Sequence, residues 1–195
     1  MRIGIMGGTF DPVHTGHLVA GECARAACGL DEVWFMPANV PPHKPNAPKA
    51  SAEQRWEMVC RAVSDNPAFR PFDHELRKGG VSYSVDTIRE LKAGYPEHEF
   101  HYIIGADMVE YLPKWREIGE IMKMIGFIGL QRPGFELQPE ALPAFIRPGV
   151  RLAPMPLLDI SSTDIRTRRR EGRSVRYLVT APVHDYIEGM GLYES

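Results

Sequence analysis

Two histidines stand at the end of a glycine-rich run near the start of the chain, which reads GGTFDPVHTGH over residues 7–17. Glycines let a backbone approach a phosphate closely, and a helix that begins beside them presents free N–H groups to the anion. Imidazole N–H groups are further hydrogen-bond donors, so His14 and His17 suit the stabilisation of negative charge on phosphate oxygens. The run therefore indicates phosphate chemistry.

The two histidines have two alternative interpretations. His14 and His17 could bind zinc together with Asp11, but no further protein ligand is spaced obviously nearby. Simple structural histidines are the second alternative. The rarity of the surrounding pattern favours phosphate chemistry, and we expect no metal bound by protein ligands alone.

A strand, a loop and a helix are expected to position this run. Residues 2–6 are short and apolar, which predicts a buried first strand, and the glycines after it are expected to turn the chain. From residue 16 apolar residues recur near helical spacing, which places His17 in the first turn of a helix. Ligand is then expected at the carboxyl end of the strand. The lysine of a phosphate-binding P-loop is absent, so that motif is excluded.

Strands and helices alternate along the rest of the chain, and Pro71 marks an edge strand. This alternation predicts an α/β fold, a Rossmann-like doubly wound parallel sheet with short C-terminal helices, and the length predicts one domain over residues 1–195. A capping box at Ser51 and Gln54 predicts a helix through about Ser64. Further strands are expected at 33–36, 69–72, 100–104, 125–130 and 150–152, and further helical segments at 82–93, 108–111, 115–123 and, weakly, 139–145.

Composition limits the classes of partner. Charged residues make up 25% of the chain and the net charge is −2, so no global basic field attracts nucleic acid. Arginines cluster within residues 166–176. Because no aromatic residues are interleaved with them at regular spacing, they indicate a solvated helix face rather than an RNA site. The three cysteines form no paired framework, no apolar run approaches the roughly 20 residues of a membrane span, and no signal peptide is recognisable. We expect a cytoplasmic protein without membrane contact.

Three other segments suit a nucleotide site. Residues 161–163 are Ser-Ser-Thr, which caps a helix and leaves Arg166 within its first turns as a second anion site. Lys44 lies in the proline-rich loop 37–50, for which an exposed loop without function is the alternative. Asp107 follows the strand end at Gly105, where a carboxylate can bind ribose hydroxyls or simply cap a helix.

The early run matches every defined position of Gly-Gly-x-Phe-Asp-Pro-x-His-x-Gly-His, a signature of the bacterial nicotinate mononucleotide adenylyltransferases of the His-x-Gly-His nucleotidyltransferase superfamily. ISSTDIR at 160–166 resembles the second signature of that family, and PPHK at 41–44 matches a further pattern. The resemblance covers nearly the whole chain. It implies direct in-line transfer of an adenylyl group from ATP, accompanied by Mg²⁺, to nicotinate mononucleotide, with nicotinate adenine dinucleotide and pyrophosphate as products.

The resemblance also implies the residues of the site. Trp115 is expected to stack on the pyridine ring, and backbone amides near Ser84 to bind its carboxylate; many relatives have threonine in place of Ser84 and an aromatic residue in place of Arg116. The catalytic residues implied are His14, His17, Lys44 and Arg166. The implied ATP contacts are Gly8, Thr9, Phe10, His14, His17, Gly105, Asp107, Ser162 and Arg166. The implied contacts to nicotinate mononucleotide are Asn39, Lys44, Ser84, Trp115 and Arg116.

Other functions stay open at this point. One is adenylyl transfer to another acceptor, either nicotinamide mononucleotide or phosphopantetheine, although the phosphopantetheine enzymes are typically shorter and lack the Trp115 segment. The other is a nucleotide-binding regulatory protein that keeps the fold without turnover. The intact set of His14, His17, Lys44 and Arg166 favours catalysis. The sequence does not determine the oligomeric state, and a homo-oligomer is one of the alternatives.

Overall fold

A computed structural model of the protein describes residues 1–40, 47–131 and 142–194. Within these residues the strands form one parallel sheet in the order β3-β2-β1-β4-β5-β6. This is the strand order of a doubly wound nucleotide-binding sheet, and it reverses between β1 and β4. The predicted fold class is confirmed. The strands are β1 (Arg2–Gly8), β2 (Glu32–Pro37), β3 (Phe69–Pro71), β4 (Glu99–Gly105), β5 (Gly126–Gln131) and β6 (Val150–Pro154).

Helices cover both faces of this sheet and lie between its strands or after the last of them. Short 3₁₀ turns at Leu112–Lys114 and Arg147–Gly149 add to the connections. No helix among the described residues combines the length and the apolar character that a membrane span needs. The helices are α1 (Thr15–Cys28), α2 (Ala52–Val63), α3 (His74–Lys78), α4 (Ser84–Gly94), α5 (Ala106–Tyr111), α6 (Ile118–Met124), α7 (Ser162–Arg170) and α8 (Ala181–Gly189).

The core lies in two layers, one on each face of the sheet. Successive side chains of a strand point to opposite faces, and β1 shows this directly because Met6 belongs to one layer while Ile5 belongs to the other. The Met6 layer includes residues of α1, α2, α7 and α8, and the Ile5 layer includes residues of α4, α5 and α6. Burial on both faces explains why the strands are near-continuous apolar runs.

The first strand is longer than its pattern predicts. Gly7 pairs with Met36 and Gly8 with Pro37, so both glycines belong to β1 and the chain turns only after them. The expectation that these glycines turn the chain is therefore wrong. A Cβ atom on Gly7 would lie 2.2 Å from the hydroxyl oxygen of Tyr102, so glycine is needed there for a close approach.

The other predicted elements occur close to their expected places. The capping box of Ser51 and Gln54 opens α2, and β3, which contains Pro71, lies at the sheet edge. The short helix α3 is not anticipated by the sequence analysis. Most of the weakly predicted helical segment at 139–145 lies outside the described residues.

Candidate active site

A cavity of about 690 Å³ lies at the carboxyl ends of β1 and β4, where the strand order of the sheet reverses. Ligands of open α/β sheets bind at this kind of switch point, and the volume is in the range of small-molecule sites. The predicted site residues that line the cavity are Gly8, Thr9, His14, His17, Ser84, Gly105, Trp115 and Arg116.

The two histidines form a stacked pair at the start of α1. His14 is the N-cap, in an extended conformation, and His17 is the third residue of the helix. Their ring centroids lie 3.7 Å apart, and the backbone N–H of His14 donates to His17 Nδ1 over 3.2 Å. A neutral imidazole that accepts at Nδ1 carries its hydrogen on Nε2. His17 is thus held as an Nε2–H donor on a cavity wall.

Neighbouring residues hold this pair in place. Phe10 is only 2% exposed, has a positive φ of 50°, and meets the His17 ring edge-on with centroids 5.0 Å apart. A Cβ atom on Gly16 would lie 3.1 Å from His14 Nδ1, so a larger residue would crowd that ring. The Phe10 side chain does not belong to the cavity lining, and its contact with ATP stays a prediction.

Asp11 is a buried side chain that anchors neighbouring segments, whereas the sequence analysis considered it only as part of the motif and as a possible zinc ligand. Its carboxylate accepts hydrogen bonds from the backbone N–H groups of Lys49 (2.8 Å) and Ala50 (3.0 Å) and from the hydroxyl of Tyr193 (2.9 Å). Burial, and then the charge of Asp11, raise the pKa of Tyr193, so this hydroxyl remains a donor. The carboxyl-terminal tail therefore reaches the loop after β1.

The start of α7 docks on the same loop. Arg166 Nη1 donates to the carbonyl of Asp11 over 2.7 Å, and the hydroxyl of Ser162 donates to the carbonyl of Pro12 over 2.8 Å. Ser161 caps the helix by accepting from the N–H of Asp164, as predicted. The segment predicted as a second anion site therefore lies beside the histidine loop, although neither Ser162 nor Arg166 lines the cavity. Their contacts with phosphate stay predictions.

The other end of the cavity is built from a helix start and packed rings. Ser84 is the first residue of α4, whose N-terminal N–H groups favour an anion. Trp115 follows the short 3₁₀ turn and meets Tyr102 and Phe127 edge-on, each with centroids 5.7 Å apart. The guanidinium of Arg116 lies 4.7 Å from the centre of the Tyr83 ring. Aromatic rings therefore line this end of the cavity.

Glu75 lines the cavity, and sequence reasoning missed it because its helix, α3, carries no recognised signal. Its side chain is 4% exposed and accepts a hydrogen bond from Thr87 Oγ1 over 2.7 Å. Burial raises the pKa of the Glu75 carboxyl. Burial, and then the charge of Glu75, also raise the pKa of Tyr102, so the Tyr102 hydroxyl keeps its proton.

Asn39 and Asp107 are not among the residues that line the cavity. Asn39 donates from its side chain to the carbonyl of Gly80 over 2.9 Å, and its backbone N–H donates to Ser82 Oγ over 3.1 Å. Asp107 is exposed in the first turn of α5. Lys44 lies outside the described residues. Among the residues that are described, no group of three or more His, Cys, Asp or Glu side chains is arranged to hold a metal ion.

Comparisons with known proteins assign the family. Residues 5–168 match the family described as cytidylyltransferase-like. A probable nicotinate-nucleotide adenylyltransferase of Desulfitobacterium hafniense (strain Y51) is 48% identical over 98% of this chain and 95% of its own length. The nicotinate-nucleotide adenylyltransferase of Bacillus subtilis (strain 168) is 43% identical over 100% of this chain and 99% of its own length. The chain belongs to the nicotinate-nucleotide adenylyltransferase family.

The fold agrees with this assignment. The solved structure of Plasmodium falciparum nicotinic acid mononucleotide adenylyltransferase complexed with NaAD superposes with a TM-score of 0.80, over 99% of this chain and 97% of that one, at 19% sequence identity. At that identity the likeness concerns the fold. For a member of the nicotinate-nucleotide adenylyltransferase family, the cavity at the switch point is the candidate active site.

Proposed function

We propose that this protein transfers the adenylyl group of ATP to nicotinate mononucleotide, releasing pyrophosphate and forming nicotinate adenine dinucleotide. The observation that carries the proposal is the identity of 43–48% over nearly the full length to relatives named as nicotinate-nucleotide adenylyltransferases. The geometry adds a cavity with histidine donors at one end and an aromatic wall at the other.

The reaction needs stabilisation of charge more than it needs a base. The phosphate of nicotinate mononucleotide is already anionic near neutral pH and attacks the α-phosphorus of ATP directly. A P–O bond forms as the bond from the α-phosphorus to the bridging oxygen breaks, and that electron pair leaves with pyrophosphate. Negative charge is shared among the attacking phosphate, the α-phosphate and the departing pyrophosphate, and preorganised donors lower the barrier by stabilising that charge. We assign this role to the imidazole N–H donors of His14 and His17, and Arg166 and Lys44 add two cations.

Mg²⁺ enters with ATP as part of the substrate, where it neutralises phosphate charge. The proposed ATP contacts are Gly8, Thr9, Phe10, Gly105, Asp107 and Ser162 together with the histidines and Arg166. Nicotinate mononucleotide is proposed to contact Asn39, Lys44, Ser84, Trp115 and Arg116. The proposal also takes residues 1–195 as one domain, the cytoplasm as the compartment, and small molecules rather than nucleic acid as partners.

The start of α4 supports the acid form of the pyridine. An N–H group at this helix start makes a charge-assisted bond to a carboxylate, whereas the amide of nicotinamide mononucleotide can turn an NH₂ donor toward a donor. An unpaired donor costs about 1–3 kcal/mol, which corresponds to a preference of roughly 5- to 150-fold in kcat/KM. Ser84→Ala is expected to keep this preference, because the proposed donors belong to the main chain.

Pyrophosphate release tests the proposal. The enzyme is incubated with MgATP and one acceptor at a time: nicotinate mononucleotide, nicotinamide mononucleotide or phosphopantetheine. The value of kcat/KM is then compared among the three acceptors. We expect the highest value with nicotinate mononucleotide. Turnover with phosphopantetheine but with neither mononucleotide would reassign the acceptor. ATP binding without pyrophosphate release from any mixture would support a regulatory protein instead.

A further inference from the structure

Arg55 is a buried cation that belongs to none of the sequence motifs. It lies in the first turns of α2 and is 2% exposed. Its Nη1 donates to two carbonyl oxygens, that of Thr9 at 2.8 Å and that of Ala38 at 2.7 Å. Its Nη2 donates to the carbonyl of Asn39 at 3.3 Å. One guanidinium therefore joins the chain segments that leave two neighbouring strands.

These two segments are walls of the cavity. The β1–β2 ladder ends with the pairing of Gly8 and Pro37, after which the N–H of Ala38 still donates to the carbonyl of Gly8 over 2.8 Å. Thr9 and Ala38 are the next residues on the two segments, and both line the cavity. At this point Nη1 of Arg55 takes the place of a ladder hydrogen bond by bridging their carbonyls.

The position of Arg55 is itself fixed from two sides. The capping box of Ser51 and Gln54 holds the first turn of α2, and the N–H of the preceding Ala50 is bound by the Asp11 carboxylate. Burial lowers the pKa of Arg55 and the charge of Asp11 opposes that effect, but a guanidinium stays protonated in proteins. A planar fork can serve three carbonyls at once, which a lysine ammonium on a flexible stem does not reproduce.

We propose that Arg55 is a positioning residue that sets the separation of the Thr9 segment and the Ala38–Asn39 turn and so aligns the two substrates for in-line attack. This inference rests on the proposed function, in which Thr9 belongs to the ATP side and Asn39 to the mononucleotide side. Alignment matters most when both substrates are bound. Loss of Arg55 therefore lowers kcat more than it weakens the binding of either substrate alone.

The experiment compares Arg55→Met and Arg55→Lys with the wild type. Arg55→Met removes the donors at similar volume, and Arg55→Lys keeps the charge but loses the fork. For each protein kcat is measured per folded molecule, together with the dissociation constants of ATP and of nicotinate mononucleotide alone and the melting temperature. We expect kcat to fall about 10- to 100-fold in both variants, because small misalignments of reacting groups have costs of this size. Each dissociation constant is expected to change less than about 3-fold, since binding alone does not require alignment.

Two control variants lie on the same helix. Arg61→Met removes a partly exposed guanidinium that pairs with Glu57 and lies over the Tyr186 ring, so it controls for charge. Val63→Ala shortens a side chain that is 2% exposed, so it controls for lowered stability. Both are expected to keep kcat per folded molecule within about 2-fold of the wild type, because neither residue reaches the two cavity segments.

Several outcomes overturn the inference. One is a wild-type kcat in Arg55→Met, and another is full recovery in Arg55→Lys, which would make charge alone responsible. A third is an equal loss of kcat in Val63→Ala, which would make the role merely structural. If Arg55→Met does not fold, Arg55→Lys carries the test by the same criteria. Absence of pyrophosphate release from the wild type would instead refute the proposed function.

Discussion

The two ends of the cavity are constructed differently. The end with His14 and His17, which we propose binds the phosphates and call the phosphate end, is held by polar contacts between distant segments, such as the 2.7 Å bond from Arg166 to the carbonyl of Asp11. The end with Trp115, which we propose binds the pyridine and call the pyridine end, is held by packed rings, with Trp115 edge-on to Tyr102 and Phe127. One end thus offers oriented donors before any ligand binds, and the other offers a shaped surface.

Because of this difference, we expect one end to affect kcat and the other to affect KM. Donors fixed in advance act where charge develops, so they stabilise the transition state more than the ground state and raise kcat. A stacking surface contacts the pyridine equally in both states, so it lowers KM without raising kcat. Variants at the phosphate end should therefore lose kcat, and variants at the pyridine end should lose affinity for the mononucleotide.

His17→Ala is expected to have the largest effect. Removing one preorganised donor costs about 2.7–4 kcal/mol, so kcat should fall on the order of 10²- to 10³-fold in a folded protein. Steady-state pyrophosphate release measures this, and circular dichroism checks the fold. His184→Ala, on α8 beside Asp185, is the matched control and should leave kcat unchanged. A folded His17→Ala protein with nearly normal kcat would remove the histidine from its proposed role.

Trp115→Ala should produce the complementary defect. Stacking of a base on an aromatic side chain is worth about 1–3 kcal/mol, so kcat/KM for either mononucleotide should fall roughly 5- to 150-fold, through KM. Trp115→Phe keeps an aromatic face and should recover most of the loss. Titration of ATP at saturating mononucleotide completes the test, because an equal rise in KM for ATP would erase the distinction between the two ends.

Arg166→Lys is expected to have a smaller effect on ATP use. A lysine ammonium does not reproduce the planar fork with which Arg166 holds the carbonyl of Asp11 and the hydroxyl of Thr163, so kcat/KM for ATP should fall about 10-fold despite the retained charge. Arg168→Lys is the control, because Arg168 pairs with Asp164 on the same helix. Equal kcat/KM values in the wild type and Arg166→Lys would place Arg166 outside the site.

The smallest predicted effect is a pH dependence of stability at the pyridine end. Burial raises the pKa of Glu75 above its ordinary value of 4.5, so the folded state holds this proton more tightly than the unfolded state does. The Glu75 contribution to stability is therefore present below about pH 4.5 and is lost as the pH rises through the folded pKa. Glu75→Gln keeps an acceptor for Thr87 without ionising, so it should remove this loss.

Melting temperatures of the wild type and Glu75→Gln across pH 4 to 8 measure the difference. About 1 kcal/mol shifts the melting temperature of a chain of this size by about 2–4 °C, so an effect of that order is readily detected. The advantage of Glu75→Gln should grow with pH. A constant offset between the two curves would contradict a buried carboxyl with a raised pKa.

Much of the fold follows from patterns within short stretches of the chain. The apolar run of β1, the helical spacing of α1 and the Ser51–Gln54 capping box are local, and the structure has each where the sequence predicts it. The exception is the glycine pair at Gly7 and Gly8, which continues the strand. Gly7 allows the close approach of Tyr102 from β4, whereas a Cβ atom on Gly8 would lie 3.0 Å from the Phe10 ring. Residues adjacent in the sequence do not predict the contact with Tyr102.

Sequence by itself determined the alternation of strands and helices, the motif family and the candidate residues at the phosphate end, because these depend on spacing along the chain. Tertiary structure alone decided that Tyr193 bonds Asp11 from 182 residues away, that Arg55 bridges Thr9 and Ala38, and that Glu75 is buried in the cavity wall. Backbone carbonyls accept hydrogen bonds whatever the residue type, and burial depends on what the rest of the chain packs nearby. The hydrogen-bond partners of a carbonyl and the burial of a side chain therefore cannot be predicted from the local sequence.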